Sequence, residues 1–591
     1  MMNVVKLLSD KVKSLTYHTI IIKLIFAFSA VSLFETAFSP YKFYTAEYFG
    51  SISLVLHLLI VSLVFIASVF LVNSVFDPYL LLSVLCCLFF TANKQQTNIY
   101  FALISSLIIC AFIFYFSTSL KTPKLSKNLL LFICAFLGTL LALFIGGLTI
   151  IKFLNHRTPN FDFGIFSQMF HYMKNTLVPY TTCERDMLLS HFAVHFSPIL
   201  YLALPFYCIF PHPSTILAIQ GIVVALGIIP IYLLSKHYKL SNAKISALVI
   251  IYALHPIVIS QNFYYFHENC FLTVLLLWLF YFVEKNDPKF TVLFAFLVMM
   301  VKEDAPIYVF FLGLYLLISN KDKITGIVLS VLSGAYFAVV TSLMSVYGQG
   351  IMSYRYENFL FEKGDSIYNV VLNILKNPTF LFTQLFTTEK IEYLIYMLVP
   401  LALLPLAIKK PSRIVLLFPL VLMNLMTNYT YQFDIGFQYS YATIAFMFYL
   451  AIANVSELSP EISKKLLLCG ICSSLIFFAS VNMSRIDSIK TYKNEKAEAL
   501  IINSALELIP EDASIKSSTF LIPALWNRNE IYQIDYSDEN TDYLVLDLRF
   551  ASNAYNISDY QGEDGYEEIF FEEDVIAIYK VDYSKIRIIE D

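Results

Sequence analysis

Ionisable residues are sparse in this chain, and those that interrupt its apolar stretches fall into short groups. Asp162 stands in Phe161-Asp162-Phe163-Gly164-Ile165-Phe166. A carboxylate among aromatics is partly desolvated, which raises its pKa and suits a general base taking a proton from a hydroxyl. Asp162 also suits a place beside a metal or a phosphate, or the N-cap of a short amphipathic helix over 163–173. His191 and His195, four residues apart, would share one face of a helix and could bind zinc. Phe192 stands where the zinc-protease pattern needs Glu, and contacts to substrate or structural hydrogen bonds are the other readings. Phe266-His267-Glu268-Asn269 puts two ionisable residues together between apolar spans, either as part of a site or as an exposed polar turn. Lys302-Glu303-Asp304 interrupts an otherwise apolar run over 290–317. Charges at membrane depth are costly and tend to face a polar cavity. Lys302 would then hold an anionic phosphate, with Glu303 or Asp304 orienting it or binding a cation. The alternative is the plain outer turn of a helical hairpin, with Lys302 paired to its neighbours. Asp434 and Gln438 close a further loop rich in aromatics, which either stack on a sugar or form the interfacial belt of a membrane protein.

The elements that must position these groups follow from composition. The 591 residues are 58% hydrophobic and only 14% charged, with mean hydropathy +0.67. Soluble proteins carry about 25% charged residues, and apolar runs of about 20 residues are transmembrane helices by length. The net charge of -4 gives no footprint for nucleic acid. Spans read as 18–37, 50–72, 78–92, 98–117, 128–151, 214–235, 243–261, 270–284, 290–302, 305–319, 324–346, 391–408, 413–428, 438–455 and 464–482, about 15 crossings. Starting inside, the C-terminus then lies outside. The loops assigned inside hold Lys121, Lys124 and Lys127, then Lys236, Lys239 and Lys244, then Lys285 and Lys289, Lys321 and Lys323, Lys409, Lys410 and Arg413, and Lys464 and Lys465; one loop assigned inside, Asn73 to Pro78, holds no basic residue. The outer loops 262–269 and 429–437 hold no Lys or Arg, as the positive-inside rule requires. Segment 198–210 is apolar enough to enter the membrane, but a crossing there would put Lys236 and Lys239 outside. It reads as an interfacial or re-entrant helix on the outer face. Cys183 and Cys270 fall near that face, where they could pair. Past residue 484 the chain becomes charged, with a helix over 495–508 and strands over 514–517, 531–534, 543–548 and 575–581. The domains are therefore 1–127, N-terminal transmembrane helices; 128–484, a membrane core with outer loops 152–213 and 347–391; and 485–591, a small soluble α/β domain on the outer side.

Phe161-Asp-Phe-Gly-Ile-Phe-Ser-Gln168, His195-Phe-Ser-Pro-Ile-Leu200, Phe266-His267-Glu268 and Val301-Lys302-Glu303-Asp304-Ala305 occur in this order with spans between them. This pattern, over roughly 150–455, resembles the DUF2079 family of polytopic membrane proteins. Gln438-Tyr439 stands where many relatives carry His-Tyr, so Gln438 is given no acid/base role. That family in turn resembles the GT-C membrane glycosyltransferases, which include protein mannosyltransferases and aminoarabinose transferases. Those enzymes place an acidic residue in the first long outer loop and often open the next helix with His-Pro. Asp162 matches the first position and His195-Phe-Ser-Pro198 the second. Asp162 is followed by Phe163 rather than by a second acid, which leaves metal dependence open.

The resemblance implies an all-α, GT-C-like polytopic membrane protein of the cell envelope. It would move a sugar, with inversion, from a polyprenyl-phosphate donor to a glycan, protein or lipid acceptor at the outer face. Asp162 is the implied catalytic residue, and His195, His267, Glu268, Lys302, Glu303 and Asp304 are the implied contacts to substrate or lipid phosphate. No cofactor is required, and a divalent cation is compatible. The competing reading is a transporter or flippase for a lipid-linked saccharide or another envelope component. That should bring inverted repeats and charges near the midplane, whereas no repeat is evident and the charges gather towards one face.

Overall fold

Apolar helices make up most of the chain. The computed structural model describes residues 15–39, 41–116, 120, 124–350, 353–362, 367–550 and 555–586; Lys121 lies outside them. Seven of the described helices are long and apolar enough to cross a membrane, or eight if the bent pair Asn242–Leu254 and Pro256–Tyr264 is one span. Further apolar runs form shorter helices, such as Pro288–Met299 with 12 residues. A 12-residue helix is about 18 Å long, too short to cross about 30 Å of hydrocarbon unaided. The chain is thus a multi-pass, mainly helical membrane protein with a small C-terminal sheet.

At the N-terminal end, Tyr17–Phe38 packs against Leu54–Leu71 and Asp77–Gln95. Lys23 is fully buried there and donates to the Ser68 and Val72 carbonyls at 2.9 and 2.6 Å. A cation at the carbonyl end of a helix offsets the helix dipole.

The membrane core begins with α1, Lys127–Leu154, which contains a π turn at Leu143–Gly147. The long loop beyond it carries α2, Ile165–Thr176. Segment 198–210 breaks into a 3-10 turn, Pro198–Leu202, and a short helix, Leu204–Ile209. α3, Pro213–His237, then packs back along α1. A Cβ on Gly221 would lie 2.7 Å from the Gly146 nitrogen and 2.8 Å from the Ala142 carbonyl oxygen. Backbone atoms cannot swing aside, so Gly221→Ala is expected to destabilise the protein by about 1–3 kcal/mol. Thermal unfolding in detergent measures this, and an unshifted transition would contradict the close crossing.

α4, Asn242–Leu254, leads by the bent pair to α5, Cys270–Glu284. A helical hairpin follows, α6, Pro288–Met299, and α7, Pro306–Ile318, with the Lys302 triplet at its turn. α8, Lys323–Tyr347, and α9, Ile367–Lys376, lead through the second outer segment to α10, Tyr441–Glu457, and α11, Pro460–Val481. α5 and α10 are the innermost pair, with Phe280 stacked on Tyr449 at 4.2 Å. At one end of this pair Glu284 accepts from Tyr449 at 2.5 Å and pairs with Lys321, while the Arg413 fork holds Glu457 at 2.9 Å. The other end starts beside Glu268 and Gln438. The 15 residues of α5 separate the two polar clusters by about 22 Å.

Beyond α11 come α12, Asp487–Leu506, and a five-stranded sheet. Strands β1, Tyr180–Thr181, and β2, Leu189–Ser190, pair within the outer loop. β3, Ile515–Ser517, β4, Ile531–Gln533, β5, Tyr543–Asp547, β6, Tyr566–Glu572, and β7, Ile576–Val581, form the sheet in the order β4-β3-β5-β7-β6. β3 runs parallel to β4 and β5, and β7 antiparallel to β5 and β6. Sequence patterning finds β3, β4, β5 and β7 but not β6. Glu567, Glu568 and Glu572 interrupt its apolar residues, as suits a charged edge strand.

This domain shares a core with the outer loop. Ile165 and Cys183 pack among Ile502, Ile515, Ile522 and Ile531. Cys183 and Cys270 are both free, correcting the expectation that they could pair. Cys183 belongs to the core of the C-terminal domain and Cys270 to that of the membrane helices.

Candidate functional site

Polar side chains from distant parts of the chain gather where the loop after α1 meets the helix ends. The turn after α6 delivers Lys302, whose Nζ lies 3.2 Å from Glu268 Oε1. Glu268 Oε2 is 3.0 Å from His267 Nδ1, and all three side chains are buried. The neighbouring Glu303 accepts from His195 Nδ1 at 2.9 Å and from the Phe196 amide at 3.1 Å, tying the outer loop to the α6–α7 turn. Glu184 pairs with His191 Nδ1 at 2.9 Å, and the His191 and His195 rings lie 5.8 Å apart. The Phe166 ring packs edge-on against both His191 and His267, at 5.4 and 5.5 Å. His195, His267, Glu268, Lys302 and Glu303 therefore form one network.

Asp162 sits on a tight stretch of loop held by the C-terminal domain. Asn160 donates from its amide to Thr519 Oγ1 and from Nδ2 to Gln533 Oε1, at 3.1 and 3.0 Å. A Cβ at Gly164 would run into Asn160 and come within 2.9 Å of Ile522, so only glycine allows this approach. Asp162 is half-buried, and its Oδ2 is closed off from solvent with no hydrogen-bond partner among the described residues. Burial and the Glu268 charge push its carboxyl up to about 6, against the pull of Lys302 and His195. Burial alone would raise Glu268 too, but His267 and Lys302 hold it well below the usual carboxylate range. The pair of acids is thereby split, one ionised and one poised near neutrality.

Asp162 caps no helix: α2 has Gly164 at its N-cap and no side-chain cap. His191 and His195 share no helix either, since the 3-10 turn His191–Ala193 ends between them, and each ring is bonded to a carboxylate. Among the described residues no group of three or more His, Cys, Asp or Glu side chains is arranged to hold a metal ion. Asp434 stays apart, exposed and accepting from the Gly436 amide at 2.7 Å.

Asp304 faces the neighbouring space rather than the ion cluster. With Glu303 and Arg355 it forms the polar end of a cavity of about 300 Å³. Ile307, Phe337, Val370, Ile374 and Met423 supply its apolar walls. The Arg355 guanidinium lies over the Tyr429 and Tyr439 rings at 4.5 and 5.1 Å. Both Tyr439 and Tyr264 are within electrostatic range of Asp162.

Glu184, Arg355 and Tyr439 carry no sequence signal that separates them from ordinary loop residues. The one available hint is at Arg355, a charge between Tyr354 and Tyr356, whereas Glu184 stands among other polar residues, Thr181, Thr182, Arg185 and Asp186.

A family model described as "Predicted membrane protein (DUF2079)" matches residues 155–564. Among solved structures, ArnT from Cupriavidus metallidurans in the apo state is similar at TM-score 0.41 and 11% identity, over 76% of this chain and 99% of that one. The arabinofuranosyltransferase AftD from Mycobacteria is similar at TM-score 0.42 and 11% identity, over 78% of this chain and 40% of that one. No curated protein matches.

Proposed function

From the premise that the chain belongs to the DUF2079 family of predicted membrane proteins, we propose that it is a glycosyltransferase using a polyprenyl-phosphate sugar at the outer face of the membrane. The observation that carries this reading is the Asp162 carboxylate, held near pKa 6 within the field of the Lys302–Glu268–His267 cluster, whose neighbours Glu303 and Asp304 line an apolar-walled cavity. A base poised near the working pH is the state that proton abstraction needs.

In the proposed reaction an acceptor hydroxyl oxygen attacks the anomeric carbon of the donor sugar. Its proton passes to Asp162, the anomeric C–O bond to phosphate breaks, and the lipid phosphate leaves as the anion. Lys302, oriented by Glu268, supplies positive potential on the leaving side, and removing one such electrostatic contact typically costs about 3–4 kcal/mol. His195 is fixed by Glu303 through Nδ1, which leaves Nε2 as the nitrogen to meet substrate. The cavity beside Asp304 offers apolar walls to the first isoprene units and Arg355 to their phosphate.

The outer placement of this end, and of the C-terminal domain on it, is supported by the position of the basic loops. Lys321, Lys410 and Arg413 gather at the opposite end of α5 and α10. Nucleotide sugars are cytoplasmic, so a site on this side calls for a lipid-carried donor.

Purified protein incubated with a panel of polyprenyl-phosphate sugars and envelope acceptors tests the reading. Sugar transfer, or slow release of free sugar from one donor, is the expected result. An inert panel, with protein shown to be folded by its melting transition, would overturn it.

A further inference from the structure

A second cleft lies where the C-terminal domain rests on the end of α1, away from the ion cluster. Its volume is about 470 Å³, within the range of small-molecule sites. Trp526, His212, Asn503, Asn527, Glu507 and Glu511 line it. The indole is wedged by other rings, with His212 and His171 edge-on at 6.0 and 5.8 Å. Arg528 on the same wall is 5% exposed. Its two terminal nitrogens donate to the Pro510 and Ile509 carbonyls, and its buried Nε has no hydrogen-bond partner among the described residues. His156, another wall residue, is joined through Nε2 to Asn503 Oδ1 at 3.0 Å, so the cleft bridges the membrane core and α12.

This lining selects by chemistry. Glu507 and Glu511 oppose a phosphate, since both terminal nitrogens of Arg528 are already taken by carbonyls, and the apolar wall residues Phe153, Leu154, Leu506, Ile509 and Leu525 share the lining with charged groups and amides. Carboxylates and amides bind hydroxyl groups, and a fixed indole offers an apolar face to the C–H side of a pyranose or furanose ring. We infer that the cleft binds a saccharide unit, a site separate from the proposed transfer centre. The choice of saccharide rests in part on the transfer reading above.

The chain has two tryptophans, Trp526 and Trp278. Trp278 stacks on Phe282 and Phe294 along α5, so Trp278→Phe leaves Trp526 as the sole indole reporter. In that background, purified protein is titrated with methyl glycosides of glucose, galactose, mannose, N-acetylglucosamine and arabinose, with free oligosaccharides, and with a polyprenyl-phosphate sugar. At least one should change Trp526 emission saturably. Glu511→Gln and Asn527→Ala, both at surface positions that should fold normally, should each weaken that binding about tenfold or more. A response to free glycans marks an acceptor subsite, and a response to the lipid-linked sugar alone marks a donor subsite. Absence of any saturable response to the whole panel, with saturation-transfer NMR equally silent, overturns the proposal. Because the readout is binding, it is separable from catalysis. Asp162→Asn should bind as the parent does, and an inert cleft in a protein that still transfers sugar would sink only this inference.

Discussion

Asp162→Asn is expected to lower sugar transfer by roughly 10²–10⁴-fold, the usual contribution of a general base. The amide has the shape of the acid but cannot take the acceptor proton. Wild-type kcat/KM should fall as pH drops through about 6, where Asp162 becomes protonated, and level off above it. The residual activity of the Asn variant should lose that acid limb. Stability should move in the other direction. The folded-state pKa is raised above the ordinary aspartate value of about 4, so the folded protein binds the proton more tightly than the unfolded chain, and stability falls as pH rises from about 4 to about 6. Above that window the ionised carboxylate costs about 2–3 kcal/mol. Asn removes this cost, so the variant should melt no lower than wild type at neutral pH. Full transfer by Asp162→Asn, or a pH profile identical to wild type, would falsify the assignment.

The second large effect concerns the Glu268–Lys302 pair, which is shielded from solvent on all sides. Glu268→Gln leaves a buried ammonium without its nearest counter-ion, and Lys302→Met leaves a buried carboxylate with only His267 beside it. Each single change is expected to destabilise by roughly 3–5 kcal/mol, because a buried charge stripped of its partner cannot regain its hydration. The double variant Glu268→Gln/Lys302→Met buries no unpaired charge at these positions and should cost less than either single change. Thermal unfolding in detergent, run as a double-mutant cycle, reads the coupling. Transfer should be lost in all three, since the double variant restores neutrality but not the positive potential at Lys302. Additive losses of stability would show that the two charges do not depend on each other.

The two expectations separate roles that a single loss of activity would merge. Asp162 should matter to rate and hardly to folding. Lys302 and Glu268 should matter to both, since the charges that serve the leaving phosphate in the proposed reaction also hold the α6–α7 turn against the start of α5.

The sequence by itself determined that this is a multi-pass membrane protein with a small sheet-bearing C-terminal part. Apolar run length and the short, nearly continuous apolar runs of β5 and β7 are local properties, written within a few turns or one strand. It also marked Asp162, His195, His267, Glu268, Lys302 and Glu303 as unusual, because an ionisable residue beside apolar spans is costly wherever it sits. What it could not supply was partnership. That Glu303 ties to His195 rather than to Lys302 depends on a contact between residues 108 apart in the chain, and that Glu184 takes His191 depends on the fold of the loop that carries both. The weak edge strand β6, Arg355 over its tyrosines and the cleft at Trp526 were hidden for the same reason. Their meaning comes from the packing of the C-terminal domain and the long connecting segments onto the helix ends, and no local periodicity encodes which surfaces meet.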